Sequence, residues 1–165
     1  MEKREIQRQY LQPSLDDFKS HVRVTASDLD GELEANLMAA IRSSERYIGK
    51  VIALSKFTLN IPFSHSITLR PPVAEVTSVT VDGEPLPADS YALSGRILTI
   101  SEDVTGEKVE VAYIAGMGEV EPDIRIAVLL SAARLFNNPG DVVEALPTKS
   151  SVLLRSHRSW GLDDD

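Results

Sequence analysis

The stretch Pro122 to Phe136, PDIRIAVLLSAARLF, restricts the possible folds more than any other part of the chain. Proline suits the first position of a helix, where a missing N–H costs nothing, and Asp123 puts negative charge on the positive end of the helix dipole. Among the residues that follow, only Arg125, Ser131 and Arg134 are polar. A surface helix carries one apolar stripe, so a helix that is apolar almost all round needs cover on most sides. It is too short to span a membrane, which takes about 20 apolar residues. Asn137-Asn138-Pro139-Gly140 ends it with turn formers and a proline. Ile126, Leu129, Leu130, Leu135 and Phe136 are therefore candidates for a central core helix. Alternatively, one side of that helix packs inside the subunit and the other against a neighbouring copy. On the core reading, Leu130→Ala costs about 2–5 kcal/mol.

A chain of 165 residues, 42% apolar and 25% charged, fits one soluble domain with a proper core. It has no cysteine, which excludes disulfides and thiolate metal sites and suits a reducing cytosol. The opening MEKREIQRQY lacks the apolar segment of a secretory signal. Net charge is −8. Grip on DNA phosphates needs clustered Lys and Arg, and no basic run here exceeds two residues, so nucleic-acid binding is not the main activity. An acidic surface can still let DNA pass without holding it, because like charge repels phosphate.

Taken in order, residues 1–13 read as a flexible polar arm. Ser14 caps a short helix with Asp16 and Asp17 in its first turn and Leu15, Phe18 and Val22 on one face. A long helix over Leu29 to Ala53 follows, acidic at its start (Asp28, Asp30, Glu32, Glu34) and basic towards its end (Arg42, Arg46, Lys50), which matches the helix dipole. From Ser55 the period changes to two. Phe57, Leu59, Ile61 and Phe63 alternate with polar residues, and Pro62 makes this an edge strand or the end of one. Ile67 and Leu69 continue the pattern. Thr77, Val79 and Val81 form a strand closed by the turn Asp82-Gly83. Short strands at Tyr91–Leu93 and Ile97–Ile100 flank Ser94-Gly95, and Val109, Val111 and Tyr113 mark a last strand. After the apolar helix, residues 141–147 read as a turn and loop, Lys149 to Trp160 as a helix or extended segment, and residues 161–165 as an acidic tail. The fold class is α+β, mainly α-helical: N-terminal helices at 14–53, a small antiparallel sheet of about five strands at 55–115, then helices at 122–160, all in one domain.

Candidate chemistry is sparse. Gly116-x-Gly118 between a strand and a helix invites a phosphate-site reading, but the dinucleotide fingerprint needs a third glycine and position 121 is Glu. Glu119, Glu121 and Asp123 also repel an anion there. Asp28, Asp30, Glu32 and Glu34 fail as a calcium loop because the required glycine and glutamate positions hold Leu33 and Ala39. His21, His65 and His157 show no metal-ligand spacing. There is no Gly-x-Ser-x-Gly elbow and no thiol. Neither a catalytic constellation nor a cofactor or metal site follows from the residues.

The order of segments carries more information. The long helix contains EANLMAAIRSSERYIGK, and the strands that follow hold Leu69-x-Pro71-x-Val73 with Val76, Val79 and Asp82-Gly83. Tyr113-x-Ala115-Gly116 precedes Pro122, Ile124 and the apolar helix. Leu146-Pro147, Leu153-Leu154 and Arg158 close the pattern. Over roughly Leu15 to Trp160 this resembles the head–tail connector (adaptor) family of tailed bacteriophages. Two places depart from the family pattern: residues 137–144 lack its charged ending, and His157 stands where an aromatic is usual.

The resemblance implies a non-enzymatic structural protein without cofactors. It implies a homo-oligomeric ring, dodecameric on the portal, that extends the DNA channel and joins head to tail. Its partners would be the portal protein and a tail or stopper protein, with DNA passing through unbound and no membrane involved. It would assemble in the host cytoplasm and reside in the virion neck. Leu153, Leu154, Arg155, Arg158 and Trp160 become portal-docking candidates; the alternative for this stretch is a C-terminal helix packed on its own domain. Two other functions stay open: another neck or tail-completion protein, and a small enzyme or ligand-binding domain using Gly116–Gly118.

Overall fold

Ser14 does locally what its residue type favours. In the computed structural model, which describes residues 1–7, 11–138, 140 and 146–159, its hydroxyl accepts from Asp17 N at 3.1 Å while Asp17 Oδ2 accepts from Ser14 N at 2.9 Å. That reciprocal capping box starts helix α1, Leu15–Val22. Burial raises the Asp17 carboxyl, but the Ser14 hydrogen bonds and Arg125 outweigh it and hold the group below its ordinary value.

Helix α2 runs Asp30–Ile48 and presents Leu33, Leu37, Ile41 and Ile48 to the core. It stops five residues before the expected Ala53. Gly49 takes a left-handed φ of 74° and donates to Glu45 O, a glycine C-terminal stop that outweighs the apolar residues beyond it. Helix α3, Pro122–Asn137, has proline in its first turn as anticipated.

The largest departure lies at the N-terminus. Glu2–Ile6 is a strand, β1, paired antiparallel with β2 (Ser55–Pro62), so residues 1–6 are not a flexible arm. The chain continues through β3 (Ser66–Thr68), β4 (Val73–Val81), β5 (Glu84–Pro85), β6 (Tyr91–Ser94), β7 (Ile97–Ile100) and β8 (Lys108–Ala115). Two antiparallel sheets result, one of five strands in the order β1-β2-β8-β4-β5 and one of three in the order β3-β7-β6. The α+β class holds, with a second sheet added. Pro62 is the last residue of β2, which lies between β1 and β8; of the two readings of that proline, the strand end is the observed one. Asp82 and Gly83 both have positive φ, as the tight hairpin turn after β4 requires.

The core is divided in two. Phe18, Leu33, Leu37, Ile41, Ile124, Val128 and Leu154 pack between the helices, while Phe57, Leu98, Ile100, Val111 and Tyr113 pack within the sheets. Helix α4, Thr148–Leu154, and a single 3-10 turn, Arg155–His157, close the described chain. Residues 141–145, Trp160 and the tail 161–165 lie outside the described residues. Among the described residues, no helix is long and apolar enough to cross a membrane.

Candidate docking surface

The C-terminal segment is built onto its own subunit. Leu154 is 0% exposed and belongs to the helical core. Ser150 Oγ donates to Ala127 O at 2.9 Å, and Ser131 Oγ lies 2.8 Å from the same carbonyl and 3.0 Å from Ser150 Oγ. These buried hydroxyls tie α4 to α3. Beyond α4, His157 Nε2 lies 2.5 Å from Asp123 Oδ2, and its Nδ1 lies 3.7 Å from Glu121 Oε1. The hydrogen bond from His157 is the main reason that the Asp123 carboxyl sits below its ordinary value. Arg158 stacks over the Tyr47 ring at 5.1 Å, and Ser159 N donates to Ile48 O at 2.8 Å.

Of the docking candidates, then, Leu154 faces the core and Leu153 packs partly against it. Arg158 lies on Tyr47, Arg155 is exposed, and Trp160 falls outside the described residues. The one large apolar side chain presented to solvent on α4 is Val152, 66% exposed, which the sequence reading passed over. Its signal was present in the spacing: Ser150 and Leu154 share the buried face of α4, and Val152 lies midway between them.

Helix α3 is covered on one side. Ile124, Ala127, Val128, Leu129, Ser131 and Ala132 are buried, Leu135 and Phe136 pack partly against the core, and Leu130 is half-buried. Ile126 is 49% exposed. Leu129 and Ile126 line a cleft of about 800 Å³ with Leu11, Val120 and Pro122. Leu130 is therefore not the full core residue its neighbours suggested.

Strand β1 forms the wall of a second, charged groove. Arg4 makes a bidentate pair with Glu45 at 2.6 and 2.7 Å and lies over the Phe57 ring at 5.4 Å. Glu45 Oε1 also accepts from Ile52 N and Ala53 N at 2.9 and 3.1 Å, so one carboxylate fastens α2, the chain after it and β1 together. Glu2 accepts from Tyr113 Oη at 2.9 Å and pairs with Arg70 at 2.5 Å. Burial, then that bond to Glu2, pushes the Tyr113 phenol above its ordinary pKa. The groove has a volume of about 820 Å³ and among the described residues is lined by Arg4, Arg42, Arg46, Lys50, Arg70 and Arg134 with two acids, Glu2 and Glu45. Sequence spacing does not show it because its cations come from four separate stretches of the chain: Arg4, residues 42–50, Arg70 and Arg134.

The Gly116–Gly118 turn has a structural explanation. Gly116 has φ +132°, and a Cβ there would sit 2.6 Å from Leu54 Cα. Its N–H donates to Pro72 O at 2.9 Å. The glycine permits the close approach of two backbones where β8 leaves the sheet.

No family model and no curated protein matches the chain. Solved structures do. The neck of an empty GTA particle, computed with C6 symmetry, is similar at a TM-score of 0.75 and 22% identity, covering 96% of this chain and 95% of that one. The neck of a native GTA particle, computed with C12 symmetry, is similar at 0.75 and 24% with the same coverage. So is the virion of a native gene transfer agent particle. The chain shares its fold with components of a gene transfer agent neck.

Proposed function

We propose that this chain is a structural, non-enzymatic neck component of a phage or phage-derived particle, working as a ring at the head–tail junction. The observation that carries this reading is the fold shared over 96% of the chain with particle necks. Those necks were computed with C6 and C12 symmetry, both compatible with a ring of twelve copies. A closed ring places one face of each copy against a different face of the next, and this chain carries unlike surfaces: the cationic groove beside β1 and an acidic remainder. The net charge of −8 suits a channel wall that does not retain DNA. The portal would be met by the exposed side of α4 and the turn after it, with Val152 and Arg155 as anchors and Leu154 holding the segment to its domain. A tail or stopper protein would take the opposite end.

Deleting the gene from its producing strain and imaging the induced lysate tests this reading. Heads and tails accumulating unjoined, restored by complementation, is the expected result. Intact, functional particles in the deletion strain would overturn it, and heads joined to defective tails would move the chain to a tail-completion role.

A further inference from the structure

The charge on this molecule is unevenly distributed. Residues 73–115, which run from β4 to β8 and include β6 and β7 of the three-stranded sheet, carry eight acidic side chains and two basic ones, a net of −6 within a chain of −8, and Glu75, Asp82 and Glu84 lie on β4, β5 and the turn between them. On the β4–β5 side Glu75 and Glu84 are both exposed. Beyond its short pairing with β5 at Thr80 and Val81, the outer edge of β4 has no strand partner among the described residues. The other edge of the sheet is β1, and there the sign reverses. In the groove beside it Arg4 and Arg70 are matched by Glu45 and Glu2, which leaves Arg42, Arg46 and Lys50 to carry the positive charge. Arg42 and Lys50 have no ion-pair partner among the described residues.

We infer that the cationic groove beside β1 is the seat for the acidic β4–β5 edge of a second copy, with Arg42 and Lys50 facing Glu75 and Glu84. The inference rests on the ring reading and names its contact. Two complementary surfaces at opposite edges of one sheet are what a head-to-tail interface needs, since each copy then uses both. Charge of opposite sign fixes the register of such a contact and speeds its encounter more than it adds raw affinity. The free edges of β1 and β4 add unpaired backbone groups on both sides, a feature that strand pairing between copies uses.

The test is complementation of the deletion strain with charge-reversed chains, the melting temperature of each purified variant confirming its fold. Wild type should restore joined particles. R42E/K50E and E75K/E84K should each lower the yield by more than about tenfold, because like charges then meet across the interface. Expressed together they should restore it: each reversed surface finds its complement on the other variant, and copies alternate around the ring. Restoration by R42E/K50E alone would overturn the inference and leave the neck role standing. Failure of the mixture to restore would also overturn it, and is the outcome if the groove holds DNA phosphate, which a second protein variant cannot repair. Failure of wild type, or no defect on deletion, would remove the neck role and the inference with it.

Discussion

Glu45→Ala should be among the most damaging single substitutions in the chain. The carboxylate is 9% exposed and Arg4 24%, so the pair is largely withdrawn from water. Three sets of bonds would be lost: the bidentate link to Arg4, and the acceptances from Ile52 N and Ala53 N. A buried donor left without a partner costs about 1–3 kcal/mol, and among the described residues the two amides have no other acceptor once the carboxylate is gone. Removing one member of a buried ion pair costs about 3–5 kcal/mol, although the partial exposure of Arg4 lets water recover some of it. The contributions overlap, and about 3–5 kcal/mol in total is expected. Glu45→Gln keeps an oxygen for the amides and should cost less, while Arg4→Met spares them altogether and should lose mainly the attachment of β1. Urea unfolding followed by far-UV circular dichroism measures all three. A loss below about 1 kcal/mol for Glu45→Ala would refute the view that this carboxylate joins α2 to the sheet, as would equal losses for Glu45→Ala and Glu45→Gln.

Other expectations follow from burial, backbone geometry and charge. Leu154→Ala should cost about 2–5 kcal/mol as a core deletion, whereas half-buried Leu130→Ala should cost about 1 kcal/mol, both by urea titration. Gly116→Ala should lose at least about 1–3 kcal/mol from its backbone conformation alone, while Gly118→Ala, with nothing within 4 Å of its Cβ, should be tolerated. Ser44 Oγ is buried without a hydrogen-bond partner among the described residues, so Ser44→Ala should be neutral or raise the melting temperature by about 2–4 °C. The Asp123 carboxyl is depressed below 3.8 in the folded state, so its contribution is present above that pH and is lost as pH falls through the folded value. Asp123→Asn should therefore flatten the acid limb of the stability–pH curve and leave the region above pH 7 unchanged in slope.

Local signals in the sequence reached far. Pro122 and the apolar run located α3, Ser14 located the start of α1, and Asp82-Gly83 located the hairpin turn because each acts through its immediate neighbours. What escaped depends on distant partners. Strand β1 reads as polar since Glu2 and Arg4 occupy its inward positions, and their partners lie as far away as Tyr113 and Glu45. The end of α2 was overrun because Val51, Ile52 and Ala53 continue an apolar pattern past the glycine that stops the helix. The surface candidates fared unevenly for the same reason. The docking candidates follow from the resemblance, which does not say which face of α4 the core takes, so they include Leu154, which is buried, and leave out Val152, which is exposed.

The central claim is that copies of this chain form the ring at the head–tail junction. Electron cryomicroscopy of purified particles, with the neck reconstructed without imposed symmetry, tests it most directly. The expected result is a ring of twelve copies of this fold between head and tail, compatible with the C6 and C12 symmetries of the similar necks. A neck density fully explained by other chains, with no copy of this one, would contradict it.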